Sequence, residues 1–133
     1  AEGIRSNDVD ARLTFINNII NNDYTFCMRG GGNYSLRLYE TLCLGRIPLF
    51  INTDCILPFE NNIDWKGLCL WVEEDDIDKI GQIVSDFHSS ISNDEFIERQ
   101  IQCRKIWEKF LSKEGFAKEL NMLITKNLMN KKK

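Results

Sequence analysis

Arg37 and Glu40 stand three residues apart in a segment whose other side chains are mostly apolar. In a helix, this spacing places both on one face. A guanidinium matches the oxygens of a phosphate, and a carboxylate can accept hydrogen bonds from the hydroxyls of a ribose. We expect both side chains in a largely buried helix, where each needs a partner. The pair therefore predicts a nucleotide-sugar site, and a salt bridge between Arg37 and Glu40 is the alternative.

Three consecutive glycines, Gly30, Gly31 and Gly32, follow an apolar segment that ends at Met28. A ligand binds at this end of a strand in open parallel sheets, and bare backbone lets a diphosphate approach the N–H groups closely. A flexible turn would have the same composition. Ser35 comes next, at the expected start of a helix, where its hydroxyl either caps the backbone or bonds a phosphate oxygen.

These residues need a strand on each side of a short helix, and the pattern along the chain supplies that order. Strands alternate with helices, which favours an α/β fold: a Rossmann-like parallel sheet with helices on both faces and long C-terminal helices. Three strands are few for such a sheet, so a first strand is expected before Ala1. The predicted elements are a helix over 9–22 capped by Asn7 or Asp8, strands over 24–28, 47–51 and 68–72, a helix over 35–44 ending at Gly45, a loop over 57–65, and helices after 76, after 93 and after a break at Gly115.

Apolar spacing also predicts which helical side chains face the core. Pro48 is expected at the first position of its strand, because it cannot donate a ladder hydrogen bond. Trp65 and Trp71 are interpreted as packed side chains, with sugar stacking on Trp65 as the alternative. The predicted core stripes are Leu13, Ile16 and Ile20 with Phe15 and Ile19, then Ile77, Ile80, Ile83, Val84 and Phe87, then Phe96, Ile97, Ile101, Ile106, Trp107 and Phe110.

The chain has 133 residues, 43% of them hydrophobic and 28% charged, which is typical of one globular domain. We predict a single domain over 1–133, with a core over 9–111 and a helical extension over 112–133. No stretch is apolar enough for a transmembrane segment, and the polar start is not a signal peptide. The missing initiator Met favours a fragment of a larger two-domain protein.

Charge is distributed unevenly. Residues 1–98 carry 7 Lys and Arg against 17 Asp and Glu, whereas residues 99–133 carry 10 against 3. A basic end could meet nucleic acid or an anionic membrane. The lysines alternate with apolar residues at helical spacing, however, which favours a solvated helix face and no nucleic-acid partner.

Five cysteines form no C-x-x-C pair. Cys27, Cys43 and Cys69 lie in apolar runs and are interpreted as small buried hydrophobes, with no metal site expected. Unpaired cysteines suit a reducing compartment, so we predict a cytoplasmic location, with peripheral membrane association left open. His88, the only histidine, is assigned no role.

The segment R-G-G-G-N-Y-S-L-R-L-Y-E-T-L-C-L-G-R-I-P-L-F-I, followed by D-C-I-L-P-F, I-D-W-K and L-W-V-E-E-D-D-I, resembles the exostosin family of glycosyltransferases, family 47. The resemblance covers residues 24–87 and implies the carboxy-terminal, donor-binding half of a two-domain GT-B fold. It implies no metal and no cofactor, only a nucleotide-sugar substrate, with UDP as the usual carrier. The glycine loop here lacks a proline that members usually have.

Carried over by position, the resemblance assigns Arg29, Ser35 and Arg37 to the diphosphate and Glu40 to the ribose. Asn33 joins the three glycines in the candidate donor loop. Asn52, Thr53 and Asp54 follow the next strand and are expected to border the base or the sugar.

Two functions are compatible with these residues. The first is the donor-binding domain of an inverting glycosyltransferase in polysaccharide biosynthesis, with a glycan acceptor and an N-terminal domain of the same chain as partners. No catalytic base is identified, so this chain alone is expected to bind nucleotide without turnover. The second is a non-catalytic nucleotide-binding or protein-interaction module that uses the basic C-terminal helices.

Overall fold

Three parallel strands form the centre of the fold, in the order β1–β2–β3. The structure is a computed structural model and describes residues 9–131. Short 3₁₀ and π segments, Glu74–Lys79 and Trp107–Leu111, precede α4 and α6. The elements are α1 (Val9–Ile20), β1 (Tyr24–Cys27), α2 (Leu36–Cys43), β2 (Ile47–Asn52), α3 (Trp65–Leu68), β3 (Leu70–Glu73), α4 (Ile80–Ser90), α5 (Asn93–Ile106) and α6 (Lys113–Asn130).

The central strand β2 is buried almost throughout, because it pairs with β1 on one edge and β3 on the other. Phe50 lies opposite Cys27 of β1 and opposite Trp71 of β3. Nearly continuous apolar sequence is typical of a strand covered on both faces. The prediction of such a strand is confirmed. Pro48 is its second residue, however, not its first.

Helices cover both faces of the sheet, as the predicted Rossmann-like α/β fold requires. On one face, Phe50 packs in a cluster with Leu38 and Leu42 of α2 and Cys103 of α5. On the other face, Leu49, Ile51, Leu70 and Val72 form a second cluster. The side chains that pack on this second cluster from the 3₁₀ segment and α4 are the predicted stripe Ile77, Ile80, Ile83, Val84 and Phe87.

The helix that follows the glycine loop, α2, agrees with its predicted bounds to within a residue. Ser35 is its N-cap residue and Leu44 its C-cap residue. Gly45 follows with φ of 62°, the left-handed conformation that glycine adopts without strain. The predicted termination at this glycine is confirmed.

The predicted core stripe of α1 is partly wrong. Ile19 is the fully buried side chain of this helix, with Phe15 and Ile16 half-buried, whereas Leu13 and Ile20 are exposed. The packed stripe is therefore rotated from the prediction, because the helix contacts the body through one narrow face. The predicted caps Asn7 and Asp8 lie outside the described residues.

The segment predicted as a loop over 57–65 ends in a single helical turn, α3. Asp64 is the N-cap of this turn, and its side chain accepts a hydrogen bond from the Gly67 N–H at 3.0 Å. Trp65 is buried and donates its indole N–H to the carbonyl of Pro58 at 3.0 Å. Trp65 is therefore a packed side chain, and β3 begins at Leu70, two residues later than predicted.

The C-terminal helices differ from the prediction in where they break. The break falls at Ser112, whose hydroxyl accepts a hydrogen bond from the Gly115 N–H at 3.0 Å. Gly115 lies inside α6, where an added Cβ would come within 2.3 Å of the Glu108 carbonyl. Glycine is needed there for close packing, not to end a helix. Two side chains of the predicted α5 stripe, Ile97 and Ile101, are exposed.

All five cysteines are free thiols. Cys27 and Cys69 are buried as predicted, whereas Cys43 is half-buried. Burial raises the pKa of Cys27 and of Cys103 to about 12, which keeps both thiols protonated and unreactive.

Candidate functional site

The carboxyl ends of β1 and β2 bring the glycine loop and the residues after β2 together. Thr53 donates its hydroxyl to Asn33 Oδ1 at 2.7 Å, and Asn33 Nδ2 donates to the Thr53 carbonyl at 3.0 Å. Thr53 is buried. Both residues were predicted as ligand contacts, and the structure shows them bonded to each other. Their pairing fixes the position of the loop relative to the end of β2.

The loop backbone itself is open to solvent at its first two glycines. A Cβ added to Gly30 or Gly31 would meet nothing within 4 Å, and neither glycine has a positive φ. Neither the backbone conformation nor any contact with residues 9–131 therefore requires glycine at these two positions. At Gly32 the ring of Tyr34 lies over the backbone, 2.6 Å from an added Cβ.

Arg29 already has a carboxylate partner. Its guanidinium forms an ion pair with Glu74 at 3.2 Å, and both side chains are about half exposed. Because Glu74 follows β3, this contact reaches across the end of β2. The pairing partly neutralises the cation, so Arg29 offers less charge to an anion than an unpaired arginine would.

Ser35 lies at the start of α2 but does not cap it. It is buried, and its side chain makes no capping hydrogen bond. The first N–H groups of a helix have no partner within the helix, and the helix dipole leaves partial positive charge there. No acidic residue occupies the first turn of α2. In the described part of the chain, the first N–H groups of α2 thus have no hydrogen-bond partner, and they lie close in sequence to the exposed glycines.

Arg37 and Glu40 are exposed, so the expectation that both lie buried is wrong. The inward side of α2 consists of Leu38, Thr41 and Leu42, and even the apolar Leu36 is 65% exposed. Within residues 9–131 neither charged side chain forms a hydrogen bond or an ion pair, so the alternative salt bridge does not form. The guanidinium of Arg37 lies over the Phe15 ring, 4.9 Å from its centroid. Both charged groups are accessible to solvent.

A second polar network lies at the ends of β2 and β3. Glu73 accepts hydrogen bonds from Asn52 Nδ2 at 2.7 Å and from the Trp71 indole at 2.9 Å, and Lys66 lies 3.6 Å away. The hydrogen bond from Asn52, with that from Trp71, holds the pKa of Glu73 below its usual value. Asn52 also accepts from the backbone N–H of Asp54, which has φ of 55°. These residues support one another, and the Asp54 carboxylate has no hydrogen-bond or ion-pair partner among residues 9–131.

Beyond Asp54 the surface opens into a cavity of about 830 Å³. The loop over 54–66 forms most of its wall, and Asn52 and Trp71 contribute from the sheet side. The glycines, Arg37 and Glu40 do not line this cavity. The predicted site residues therefore divide between the glycine loop with the start of α2 and the edge of the cavity.

A known protein family resembles about the first two thirds of this chain. The model of the exostosin GT47 domain matches residues 2–87, which include both strands beside the glycine loop. The chain belongs to the exostosin GT47 family. The matched exostosin segment includes the glycine loop, the first turn of α2 and Asp54 at the edge of the cavity.

Several relatives share this segment at moderate identity. The chain is 33% identical over 88 residues to exostosin-1 of Drosophila melanogaster, which covers 65% of this chain and 11% of that protein. It is 32% identical over 79 residues to the probable glucuronoxylan glucuronosyltransferase IRX7 of Arabidopsis thaliana, and 31% over 68 residues to the probable glucuronosyltransferase GUT1 of Oryza sativa subsp. japonica. These alignments cover 59% and 51% of the chain, and 17% and 16% of those proteins. The chain thus spans under a fifth of the length of these relatives. No solved structure matches it significantly.

Reasoning from the sequence missed several residues of this exostosin-family site. Tyr34 is an exposed ring over the glycine loop, and Glu74 pairs with Arg29. Glu73 and Lys66 flank Trp71 at the cavity edge. The signal that could have identified Glu73 and Glu74 is the acidic run over residues 73–76. This run begins at the last residue of β3 and continues as a 3₁₀ segment.

In residues 9–131 no group of three or more histidine, cysteine, aspartate or glutamate side chains is placed to bind a metal ion. Within the same range, no helix is both long enough and apolar enough to cross a bilayer.

Proposed function

We propose that this chain is the donor-binding domain of an inverting glycosyltransferase with a GT-B fold, and that its donor is a UDP-sugar. One observation supports this most strongly. Arg37 and Glu40, one turn apart on the exposed side of α2, have no polar partner within residues 9–131. Arg37 lies in the first turn of α2, where Ser35 makes no capping bond, and the preceding loop holds two glycines that no contact within residues 9–131 requires.

The proposed chemistry follows from these free groups. The first N–H groups of α2, the Ser35 hydroxyl and Arg37 bind the diphosphate and stabilise the negative charge that develops on it as it leaves. Glu40 accepts hydrogen bonds from the ribose hydroxyls. Arg29, already paired with Glu74, contributes less. The general base that deprotonates the glycan acceptor comes from another domain of the longer chain.

Calorimetric titration of the 133-residue chain with UDP tests the proposal. We expect Arg37→Ala to cost about 1.5–3 kcal/mol of binding free energy, the range for hydrogen bonds to a charged group. Glu40→Ala lowers affinity for UDP but not for inorganic diphosphate, because it removes a contact to ribose only. Titration with GDP reports whether the site selects the base.

Matched variants separate binding from folding. Gly31→Ala should leave stability unchanged, since its Cβ meets no atom, but should weaken UDP binding if the diphosphate approaches the loop backbone. Lys118→Ala, an exposed change on α6, is the control. Absence of UDP binding in the unmodified chain, or equal affinity in Arg37→Ala and Lys118→Ala, would refute the proposal.

A feature of α6 supports a second proposal, that this helix contacts another protein domain. An apolar stripe along it is exposed on the surface of residues 9–131, and the relatives are several times longer than this chain. We propose that this stripe packs against another domain of the same protein. The stripe consists of Phe116, Leu120, Leu123, Ile124 and Leu128.

Leu123→Glu should leave the unfolding midpoint of the isolated chain unchanged and weaken its association with the remainder of the longer protein in pull-down measurements. A role in polysaccharide biosynthesis and a cytoplasmic location complete the proposal.

A further inference from the structure

The cavity beside β2 and β3 differs in charge from the start of α2. Its wall carries the carboxylates of Asp54, Glu60 and Asp64 against a single cation, Lys66. Lys66 itself lies 3.6 Å from Glu73 and over the Trp71 ring, so its charge is largely matched. A surface of this kind repels phosphate and carboxylate groups.

The groups that face the cavity suit a polyhydroxylated ring. Asp54 has a carboxylate with no polar partner in the described chain, and the side chains of Asn61 and Asn62 are also unbonded there. Carboxylate and amide groups pair well with neighbouring hydroxyls, because each offers two polar atoms in one plane. Ile56, which is 91% exposed, adds apolar surface for the C–H groups of a ring.

The cavity is also placed beside the proposed donor contacts. Asp54 follows Thr53, and Thr53 is bonded to Asn33 of the glycine loop. Thr53 thus contacts the glycine loop, and the next residue, Asp54, lines the cavity. Its volume of about 830 Å³ lies within the usual range of roughly 300–1,000 Å³ for small-molecule sites.

We propose that this cavity binds an uncharged sugar ring, and that the Asp54 carboxylate makes it select against acidic sugars. The inference rests on the proposed donor-binding function, because the neighbouring diphosphate site defines what the sugar is joined to. The ring is either the transferred sugar of the donor or the terminal sugar of the acceptor. Selection by charge is the same in both cases.

A matched pair of probes tests the selectivity. Methyl β-D-glucopyranoside and methyl β-D-glucopyranosiduronate differ only in oxidation at C6. Saturation-transfer NMR on the 133-residue chain should show the glucoside binding more tightly, by about threefold, the size of one exposed charge interaction. Asp54→Asn should remove most of this preference. Asparagine tolerates the left-handed backbone at this position, so the variant keeps the turn.

Asp78→Asn, an exposed change outside the cavity, is the control and should keep the preference. Equal binding of the two probes in the unmodified chain, or no binding of either, overturns the inference. A preference that survives in Asp54→Asn overturns the role of Asp54.

Titration with UDP separates this inference from the proposed function. UDP binding without glucoside binding leaves the donor site standing and removes the sugar subsite. Glucoside binding without UDP binding supports the subsite and removes the donor site. UDP-glucose that displaces the glucoside where UDP does not identifies the transferred sugar as the occupant, and simultaneous binding identifies the acceptor.

Discussion

The N-termini of α2 and α5 are built from the same residue type and have opposite properties. Both helices begin after a serine. Ser92 of α5 accepts from the Glu95 N–H, and the Glu95 carboxylate accepts from the Ser92 N–H at 2.7 Å, which completes a capping box. Ser35 of α2 makes no capping bond.

The charges differ in the same direction. The first turn of α5 contains Asp94 and Glu95, which oppose the positive end of the helix dipole. The first turn of α2 contains no acid and includes Arg37. A helix whose start is satisfied by its own residues has nothing left for a ligand, whereas α2 leaves its donors and its cation available for one. The contrast supports the proposal that the start of α2 binds the donor, whereas the start of α5 contributes stability.

The most direct test of this difference is to place an acidic residue in the first turn of α2, as α5 has. Leu36 is 65% exposed in the first turn, so Leu36→Glu should fold and gain up to about 1 kcal/mol from the dipole. The same carboxylate should repel the diphosphate and lower UDP affinity about tenfold, or about 1.4 kcal/mol. Calorimetry and urea unfolding measure the two effects. Leu36→Gln is the matched control, and an equal loss of affinity there would show that shape, not charge, is responsible.

Replacing each serine by alanine should affect the stability of the two helices differently. Ser92→Ala should destabilise the chain by about 1 kcal/mol, because it breaks a capping box. Ser35→Ala should change stability far less, since no capping bond is lost, but should weaken UDP binding. Urea unfolding of the two variants side by side gives the comparison. Equal destabilisation would mean that Ser35 caps α2 in solution and is not reserved for a ligand.

Local signals in the sequence were enough to predict α2 and β2. Gly45 ends the helix because the residue there adopts the left-handed conformation, and a single glycine in the sequence is enough to indicate this. The uninterrupted apolar run of β2 likewise indicates burial on both faces. The pairing of strand ends at one edge of a parallel sheet also made it predictable that the glycine loop and Thr53 lie close together.

Exposure around α2 could not be predicted in the same way. Leu36 is apolar but faces solvent, so counting apolar neighbours overestimated the burial of Arg37 and Glu40. The side of a short helix that faces the sheet depends on how the helix docks, which its own sequence states only weakly. The hydrogen bonds between Asn33 and Thr53 depend on the same tertiary geometry.

The predicted position of the break before α6 was wrong for a related reason. Glycine after a long helix suggested termination, but Gly115 is required because the Glu108 and Lys109 carbonyls approach its Cα closely. Ser112, the real cap, lacks a glutamate three residues later, so no capping box marked it. The sequence therefore suggested that Gly115 ends a helix, although Gly115 is needed for packing and Ser112 is the residue that caps α6.

The smallest predicted difference between α5 and α2 is in how their stability responds to low pH. Hydrogen bonds from the Ser92 N–H and hydroxyl hold the pKa of Glu95 below its usual value near 4.5. A carboxylate whose folded-state pKa is lowered contributes stability above the unfolded-state pKa and loses it as pH falls through the lower folded-state pKa. The urea midpoint of Glu95→Gln should therefore fall less between about pH 6 and pH 3 than that of the unmodified chain. Glu119→Gln, within α6, is the control and should follow the unmodified chain. An identical acid response in Glu95→Gln would show that the Glu95 carboxylate adds no stability to α5, and only the Ser92 hydroxyl would then distinguish its start from that of α2.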